Sequence, residues 1–138
     1  MKTGMRQEFR ISGLPEPVSH YTDVVTAGGF AFVSGLIAVG SDGALVGEDD
    51  VITQTEVVHD YLERALDAVG CSFEHIVKVT VFVTDINDRA EINTVRQRRF
   101  GAFRPASTLV EISRLVVPGA KVEIDAIAAI PEANFVGR

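Results

Sequence analysis

The chain has 138 residues, of which 46% are hydrophobic, and its formal net charge is -6 at pH 7. This length is enough to bury one core, so we expect a single domain over residues 1–138. No apolar run is long enough for a signal peptide or a membrane span, and Cys71 has no second cysteine to pair with, so we expect a cytoplasmic protein. The excess of acidic residues disfavours binding to nucleic acid.

The first part of the chain predicts a β-hairpin. Residues 24–27 and 30–34 are strand-like and flank Gly28-Gly29, a pair of glycines of the sort that closes a hairpin. Asp42-Gly43 is a second turn signal, and it precedes a longer segment with helical periodicity.

Residues 53–69 predict the first helix. Thr53 with Glu56 three residues later fits a capping box at its start, and Gly70 is the expected C-terminal stop. The apolar residues that recur at helical spacing are Val58, Leu62, Ala65 and Val69.

Residues 76–83, IVKVTVFV, predict a central strand because they are rich in β-branched residues. Strict alternation would place the valines at 77, 79, 81 and 83 on one face. The opposite face would then carry Ile76, Lys78, Thr80 and Phe82.

A second helix is predicted to start at Asp88, with Glu91 in capping-box position, and to run to about Phe103. Ile92, Val95 and Phe103 supply its apolar stripe. Two strands then follow, at 107–112 and 121–130, joined across Val117-Pro118-Gly119. The last strand places on one face Val122, Ile124, Ala126, Ala128 and Ile130.

Two helices and five or six strands in this order predict an α+β sandwich with both helices on one face of one sheet. The other face would remain partly apolar, with Phe30 or Phe32, Phe82 and Ile127 among polar neighbours. A large exposed apolar face is normally an association site, so the sequence predicts an oligomer without fixing its order.

Four arginines crowd the stretch RQRRFGAFR, at positions 96, 98, 99 and 104. Such a run could contact RNA or an anionic ligand. More often it is a solvated helix face or takes part in ion pairs at a subunit interface.

Four segments spread over nearly the whole chain carry a family pattern: His20-Tyr21, FVSGLIAV at 32–39, VKVTVFVTDIND at 77–88 and PASTLVEISRLVVPGAKVEIDAIA at 105–128. The last is the most specific, since its Pro-Ala start, its two VEI strands and its Arg-Leu pair rarely coincide at this spacing. The sequence resembles the RidA/YjgF family, also called the L-PSP or UK-type family.

The resemblance implies a fold like the bacillary type of chorismate mutase, with one mixed sheet and two helices on one face. It also implies a homotrimer whose free sheet faces form an inner barrel, with small-molecule sites in the clefts between subunits. The family's best-known activity is hydrolysis of reactive enamines and imines to carbonyl compounds and ammonia, without a metal or organic cofactor. We therefore expect a hydrolase of the deaminase type.

Carried over position by position, the resemblance makes Glu123 the catalytic, water-orienting glutamate. Tyr21 becomes the pocket tyrosine, Ser34 the serine of the SG motif and Asn93 the helix asparagine. Each has a plainer interpretation: an outward charge for Glu123, a rim aromatic for Tyr21, tight strand packing for Ser34 and a solvated helix position for Asn93.

The family's arginine, which grips a substrate carboxylate in a planar two-pronged contact, is missing. Typical imine deaminases of the family read Pro-Ala-Arg-Ser, whereas this chain has Ser107 and then Thr108 after Pro105-Ala106. Backbone amides near Ser107 and Thr108 could still polarise a carbonyl or imine. Arg104 is a possible accessory group, and Arg114 is a less favoured one. In an extended segment, Arg104 lies about 10 Å from Ser107 and points to the opposite face.

The loss of that arginine predicts altered specificity: a less anionic or larger enamine, or a carbonyl compound. A non-catalytic, ligand-binding trimer is the main alternative, and an endoribonuclease or translation inhibitor is the third. His20, His59 and His75 show no metal-ligand spacing, so no metal is predicted, and Cys71 has no visible activating base.

Overall fold

Six strands and two α-helices make up the computed structural model, which describes residues 5–132. The strands are β1 (Gln7–Phe9), β2 (Val24–Ala27), β3 (Phe30–Leu36), β4 (Ile76–Val83), β5 (Ala106–Glu111) and β6 (Val122–Ala129). The helices are α1 (Val51–Ala68) and α2 (Arg89–Phe100). The strands form one mixed sheet in the order β1-β2-β3-β6-β4-β5, in which only β4 and β5 are parallel.

The predicted hairpin is confirmed. β2 and β3 pair antiparallel with Ala27 opposite Phe30, and the turn between them has positive φ at Gly28 (59°) and at Gly29 (84°). Two successive positive φ values suit the right-handed twist of a tight hairpin, and glycine adopts them without a steric penalty.

Helix α1 begins earlier than the sequence predicts, and the capping box at Thr53 is wrong. Asp50 is the N-cap, and its carboxylate accepts hydrogen bonds from the Thr53 backbone N–H at 3.0 Å and from the Thr53 hydroxyl at 2.7 Å. These bonds lower the pKa of the Asp50 carboxyl. Glu56 instead pairs with arginines of α2.

The C-terminal end of α1 matches the prediction. Gly70 has φ 78°, its N–H donates to the Asp67 carbonyl at 3.2 Å, and the Cys71 N–H donates to the Leu66 carbonyl at 2.9 Å. This pair of bonds is the Schellman ending, which satisfies carbonyls that the helix leaves free. Within residues 5–132, neither α1 nor α2 is long and apolar enough to cross a bilayer.

Strand β4 has the predicted bounds but not the predicted alternation throughout. Its pairing with β6 shifts register between Ile76 and Lys78, so Ile76 is buried and Val77 is 43% exposed. Beyond this irregularity the valines at 79, 81 and 83 are buried, as predicted. A bulge of this kind reverses the facing of every residue on one side of it.

Helix α2 ends at Phe100 rather than near residue 103. Phe100 packs edge-on against His59 of α1 and close to Phe73, whereas Phe103 is 51% exposed in the loop that follows. Gly101, with φ 63°, takes the chain out of the helix. Phe100 therefore occupies the place in the apolar stripe that was predicted for Phe103.

Both helices cover one face of the sheet, as predicted. The apolar residues that β6 turns toward them are all buried: Val122, Ile124, Ala126 and Ala128. The opposite, open face has half-buried or exposed residues on the same strands, including Phe30 (42% exposed), Phe32 (43%), Phe82 and Ile127. The apolar open face is the one the sequence predicts.

Strand β5 forms one edge of the sheet and is poorly covered. Five of its six residues are exposed, and β4 is its neighbour on one side only. The chain enters β5 from α2, which carries it back to the end of the sheet where β4 begins, as a parallel pair requires.

Candidate functional site

A cleft of about 740 Å³ opens between the segment 14–23, the end of β3 with its following loop, and residues 116–117. Glu123 of β6 and Tyr61 of α1 complete its wall. Most of the lining is apolar, with Leu14, Leu36 and Val39 among the contributors. Concave, mainly apolar sites with a few convergent polar groups are typical of small-molecule binding.

Glu123 projects from the open face of β6 and is half-buried. Its carboxylate lies against Gly35, where an added Cβ would stand 2.7 Å from Glu123 Cδ. Burial, with a smaller contribution from the charge of Asp125, raises the pKa of the Glu123 carboxyl. A carboxylate with a raised pKa is a stronger base than an exposed one.

The hydrogen bonds described for residues 5–132 include none to the Glu123 carboxylate. The contrast with Asp23, a buried carboxylate in the same cleft, is informative. Asp23 accepts from the Ile11 N–H at 2.7 Å and lies 3.2 Å from Arg10 Nε, so its charge serves the fold. The Glu123 oxygens are free to bind a water or a ligand.

Tyr21 and Ser34 line the same cleft, so the structure brings together three of the predicted site residues. Tyr21 is 46% exposed, and its hydroxyl accepts from the Val18 N–H at 3.4 Å. Ser34 donates its hydroxyl proton to the Thr22 carbonyl at 2.6 Å. That bond anchors the segment bearing Tyr21 to β3. The hydrogen bonds described for residues 5–132 join the Ser34 hydroxyl to no acid or histidine that would activate it as a nucleophile.

Two cleft residues were not singled out from the sequence. The Tyr61 hydroxyl donates to the Val39 carbonyl at 2.7 Å, which fixes the loop after β3 to α1, and burial raises the pKa of Tyr61. Asp23 is the second, as the anchor of residue 11 described above. Tyr61 lies three residues after Val58 in the segment with helical periodicity, so that spacing could have indicated it. Asp23 precedes β2 in a stretch without a periodic pattern, which gave no signal.

Gln54 connects α1 to the start of β6. Its amide donates to the carbonyls of Gly47 at 3.0 Å and Gly119 at 3.2 Å, and its Oε1 accepts from the Lys121 N–H at 2.8 Å. A fully buried amide with these bonds locks the start of β6 to α1. The position of Glu123, two residues beyond Lys121, follows from this lock.

The other predicted site residues form a separate group around the start of β5. Ser107 lies opposite Val79 in the parallel register and accepts a hydrogen bond from Arg96 Nη2 at 2.8 Å. Asn93, one turn earlier in α2, accepts from Arg96 Nη1 at 3.4 Å. In the sequence, Arg96 is only one member of the basic run. Its contact with Ser107 forms only when α2 packs beside β5, so nothing in the sequence indicates it.

Thr108 points to the opposite face, where Lys78 Nζ donates to its hydroxyl at 2.8 Å. Arg104 is exposed in the loop before β5, and the ion pairs and hydrogen bonds described for residues 5–132 do not involve it. The start of β5 therefore has one cation on each face of the strand, Arg96 beside Ser107 and Lys78 beside Thr108. Arg104 takes part in neither of these two hydrogen bonds.

The rest of the basic run is engaged in ion pairs between the two helices. Arg99 lies 3.0 Å from carboxylate oxygens of both Glu56 and Asp60, and Arg98 also pairs with Glu56. The sequence predicts a solvated helix face or ion pairs at a subunit interface; the ion pairs of Arg98 and Arg99 instead join two helices of the same chain. These guanidinium groups are therefore occupied at positions where RNA binding would need them free.

Within one chain, the Ser107 group and the Glu123 cleft cannot act on the same small molecule. Ser107 faces α2, whereas Glu123 faces the open side of the sheet, and β4 separates the two strands. Among residues 5–132, no three His, Cys, Asp or Glu side chains come together to hold a metal ion. Cys71 is buried, and burial raises its thiol pKa to about 11, which suits packing rather than reactivity.

Residues 12–130 match the family described as Endoribonuclease L-PSP. A RutC family protein of Pyrococcus horikoshii is 34% identical over 124 residues, covering 90% of this chain and 98% of that protein. The crystal structure of a Rid family protein, YyfA of Yersinia pestis, superposes with a TM-score of 0.85 at 30% identity and covers 91% of this chain and 100% of that one.

The crystal structure of E. coli TdcF with bound serine gives a TM-score of 0.80 at 32% identity, covering 90% of this chain and 100% of that chain. The match spans nearly all the elements described above, including β3, β6 and the start of β5, which carry the predicted site residues. This chain belongs to the L-PSP family, which includes the RidA/YjgF proteins that its sequence resembles.

Proposed function

We propose that this protein is a hydrolase that converts a small enamine or imine into a carbonyl compound and ammonia, with Glu123 as the general base. The observation that carries the proposal is the Glu123 carboxylate itself, which is half-buried, has a raised pKa and receives no hydrogen bond from residues 5–132. It faces an apolar cleft large enough for a small metabolite. A desolvated carboxylate kept free of partners suits a group that takes protons from water.

The proposed reaction adds one water to the C=N bond. Glu123 takes a proton from the water as its oxygen bonds to the imine carbon, and that proton then passes to the nitrogen. As the carbinolamine collapses, its hydroxyl proton is transferred to the nitrogen and the C–N bond breaks, so that the products are a C=O group and ammonia. An enamine enters the same sequence after protonation at carbon and loss of an N–H proton give its imine.

The proposal includes a homotrimer with its sites between subunits. Two features of the chain support it: the apolar open face around Phe30 and Phe32, and the exposed edge of β5. A third is the division of the predicted site residues into two groups that one chain holds apart. In an assembly, the Ser107 group of one subunit can complete the Glu123 cleft of the next.

TdcF, the relative crystallised with bound serine, indicates that a small amino acid can occupy a protein of this fold. Ligands of that size fit the cleft of this chain. A free amino acid is chemically close to a 2-imino acid, since the two differ by an oxidation at the nitrogen-bearing carbon. This likeness supports a small nitrogen compound as the substrate.

Ammonia release from a panel of enamines and imines tests the proposal. The Glu123→Gln variant should lose about 10²- to 10⁴-fold in kcat while keeping its assembly, because removal of a general base costs that much. Glu48→Gln is the matched control, since Glu48 is an exposed carboxylate outside the cleft lining. Wild-type protein that releases no ammonia above the uncatalysed rate, with acidic and neutral substrates alike, would contradict the proposal.

A pH profile distinguishes a base from a structural carboxylate. Activity should fall as pH drops through the raised pKa of Glu123, because the protonated group accepts no proton. Asp125→Asn removes a charge that contributes to this raised pKa, so it should move the acidic limb to lower pH. A limb that stays in place would show that another group limits the rate.

The family's description as an endoribonuclease makes RNA cleavage the second candidate. The ion pairs of Arg98 and Arg99 and the net charge of -6 weigh against it, because RNA binding depends on free cations that neutralise phosphates. A ligand-binding protein without catalysis is the other outcome of the ammonia assay. It would show thermal stabilisation by a metabolite without conversion.

A further inference from the structure

We propose that Arg96, held by Ser107 and Asn93, binds the carboxylate of an anionic substrate. The inference rests on the proposed function, since it assumes that the start of β5 completes a neighbouring subunit's cleft. The sequence predicted a less anionic substrate because residue 107 is not an arginine. The structure provides a guanidinium beside residue 107 from a different element.

Arg96 has no acidic partner in the described part of the chain. Arg99, one turn later in α2, has three: Glu56, Asp60 and Glu63. The ion pairs found among residues 5–132 include none with Arg96, whose neighbours Ser107 and Asn93 are neutral. A cation in an acidic protein that packs against neutral groups alone retains its full capacity to attract an anion.

Arg96 is also partly removed from water. Arg96 is half-buried, and burial lowers the pKa of its guanidinium. A charge that is partly removed from water without a counter-ion raises the free energy of the folded protein. A bound anion would recover part of that energy. The site is therefore already partly desolvated before a ligand arrives.

The hydrogen-bond donors at and around Arg96 suit a carboxylate. A guanidinium presents a rigid fork of N–H groups that matches the two oxygens of a carboxylate, and its bonds to Ser107 and Asn93 use one donor on each terminal nitrogen. The Ser107 hydroxyl and the Asn93 amide nitrogen are further donors next to the fork. Together they can surround one anionic group.

The charge of the site favours a carboxylate over a phosphate dianion. Arg96 is the cation on the helix side of β5, while Lys78 is held by Thr108 on the other side. Consecutive strand residues point to opposite faces, so the two cations do not converge. A single positive charge with neutral donors matches a monoanion.

Calorimetric binding of pyruvate to the assembled protein tests the inference, with pyruvamide as the neutral probe of the same shape. Arg96→Gln should weaken pyruvate binding by about 10- to 100-fold and leave pyruvamide binding within about twofold, since a charge-assisted bidentate contact is lost. Arg96→Lys, which keeps the charge without the fork, should fall between Arg96→Gln and the wild type.

Arg98→Gln is the matched control, because Arg98 lies on the same helix but pairs with Glu56. Its pyruvate affinity should equal that of the wild type. Circular dichroism and the assembly mass of each variant exclude unfolding as the cause of a loss.

Three results would overturn the inference: unchanged pyruvate affinity in Arg96→Gln, a loss confined to Arg104→Gln, or no pyruvate binding by the wild type at millimolar concentration. None of them depends on turnover. The proposed hydrolysis fails on a different result, the absence of ammonia release, which would leave an Arg96-dependent carboxylate site intact.

Discussion

The two faces of the sheet are made of alternate residues on the same strands, but the helices cover one face and leave the other open. On β6, Ile124 is 1% exposed beneath the helices, while Ile127 and Glu123 are half-buried on the open side. The covered face is apolar and complete within one chain. The open face mixes phenylalanines with carboxylates, and it holds the only part of β6 that reaches the cleft in the described chain. One face accounts for stability, and the other is available for assembly and chemistry.

The largest expected effect comes from placing a charge on the open face. Phe32→Glu should cost a single subunit little, since residue 32 is 43% exposed, but it would bury one carboxylate per subunit in a trimer. An unpaired buried charge costs about 3–5 kcal/mol, so the assembly should dissociate.

Light scattering after size exclusion measures this change. The wild type should have three times the chain mass of 14.9 kDa, and Phe32→Glu should have the mass of one chain. Ile52→Glu is the control that should remain assembled, because Ile52 is 42% exposed on α1, on the helix-covered side of the sheet. A monomeric wild type would contradict the proposed trimer.

A second comparison measures the covered face itself. Ile124→Ala should lower the free energy of unfolding by about 2–5 kcal/mol, because it leaves a cavity beneath the helices. Ile127→Ala should cost about 1 kcal/mol or less. Urea denaturation of both changes in the Phe32→Glu background removes the contribution of assembly. Equal losses would show that the two faces do not differ as described.

The smallest expected effect is a pH dependence of the free energy of unfolding, caused by His59 on the covered side of the sheet. His59 is fully buried, and its Nδ1 lies 2.7 Å from the Thr55 carbonyl, so Nδ1 carries the proton of the neutral ring. Its Nε2 is buried without a hydrogen-bond partner in the described chain. Burial, together with the nearby charges of Arg99 and Arg96, lowers its pKa to about 4, while the Thr55 bond and Asp60 oppose the shift.

Because the folded pKa of His59 lies below its unfolded value of 6.5, the unfolded chain takes up the proton first. The contribution of His59 to the free energy of unfolding should be fully present above pH 6.5. It should be lost as the pH falls from 6.5 to 4, which lowers the free energy of unfolding by up to about 3 kcal/mol. Urea denaturation across that range measures the slope, and His59→Leu, which cannot titrate, should flatten it. An unchanged slope in that variant would assign the dependence to other groups.

Alternation of side chains predicted most of the sheet. The hairpin at Gly28-Gly29, the bounds of β4 and the buried face of β6 are confirmed, because in each of them local pattern and tertiary environment agree. The errors occur where they disagree. Asp50 rather than Thr53 caps α1, and the register shift after Ile76 exposes Val77. The N-cap lies outside the segment with helical periodicity, and the bulge depends on the partner strand. Neither is therefore visible in the spacing of apolar residues along the chain, whether at the period of a strand or of a helix.

The candidate site could be predicted only in part. The resemblance pointed to Tyr21, Ser34 and Glu123, and the structure places these three in one cleft. Their roles and those of Asn93, Ser107 and Thr108 stay predictions. The sequence also weighed Arg104 as the substitute for the missing arginine, on the basis of its proximity along the chain. Arg96 is farther from Ser107 in sequence but beside it in space, since α2 folds back along β5.

The return of α2 between two parallel strands has a consequence for how this protein can change. The loop at 101–105 sets where β5 starts relative to the last turns of the helix. Lengthening that loop by one residue would move the Ser107 hydroxyl away from the Arg96 guanidinium without changing either side chain. Connector length is thus a means of retuning ligand choice that leaves the chemical groups themselves untouched.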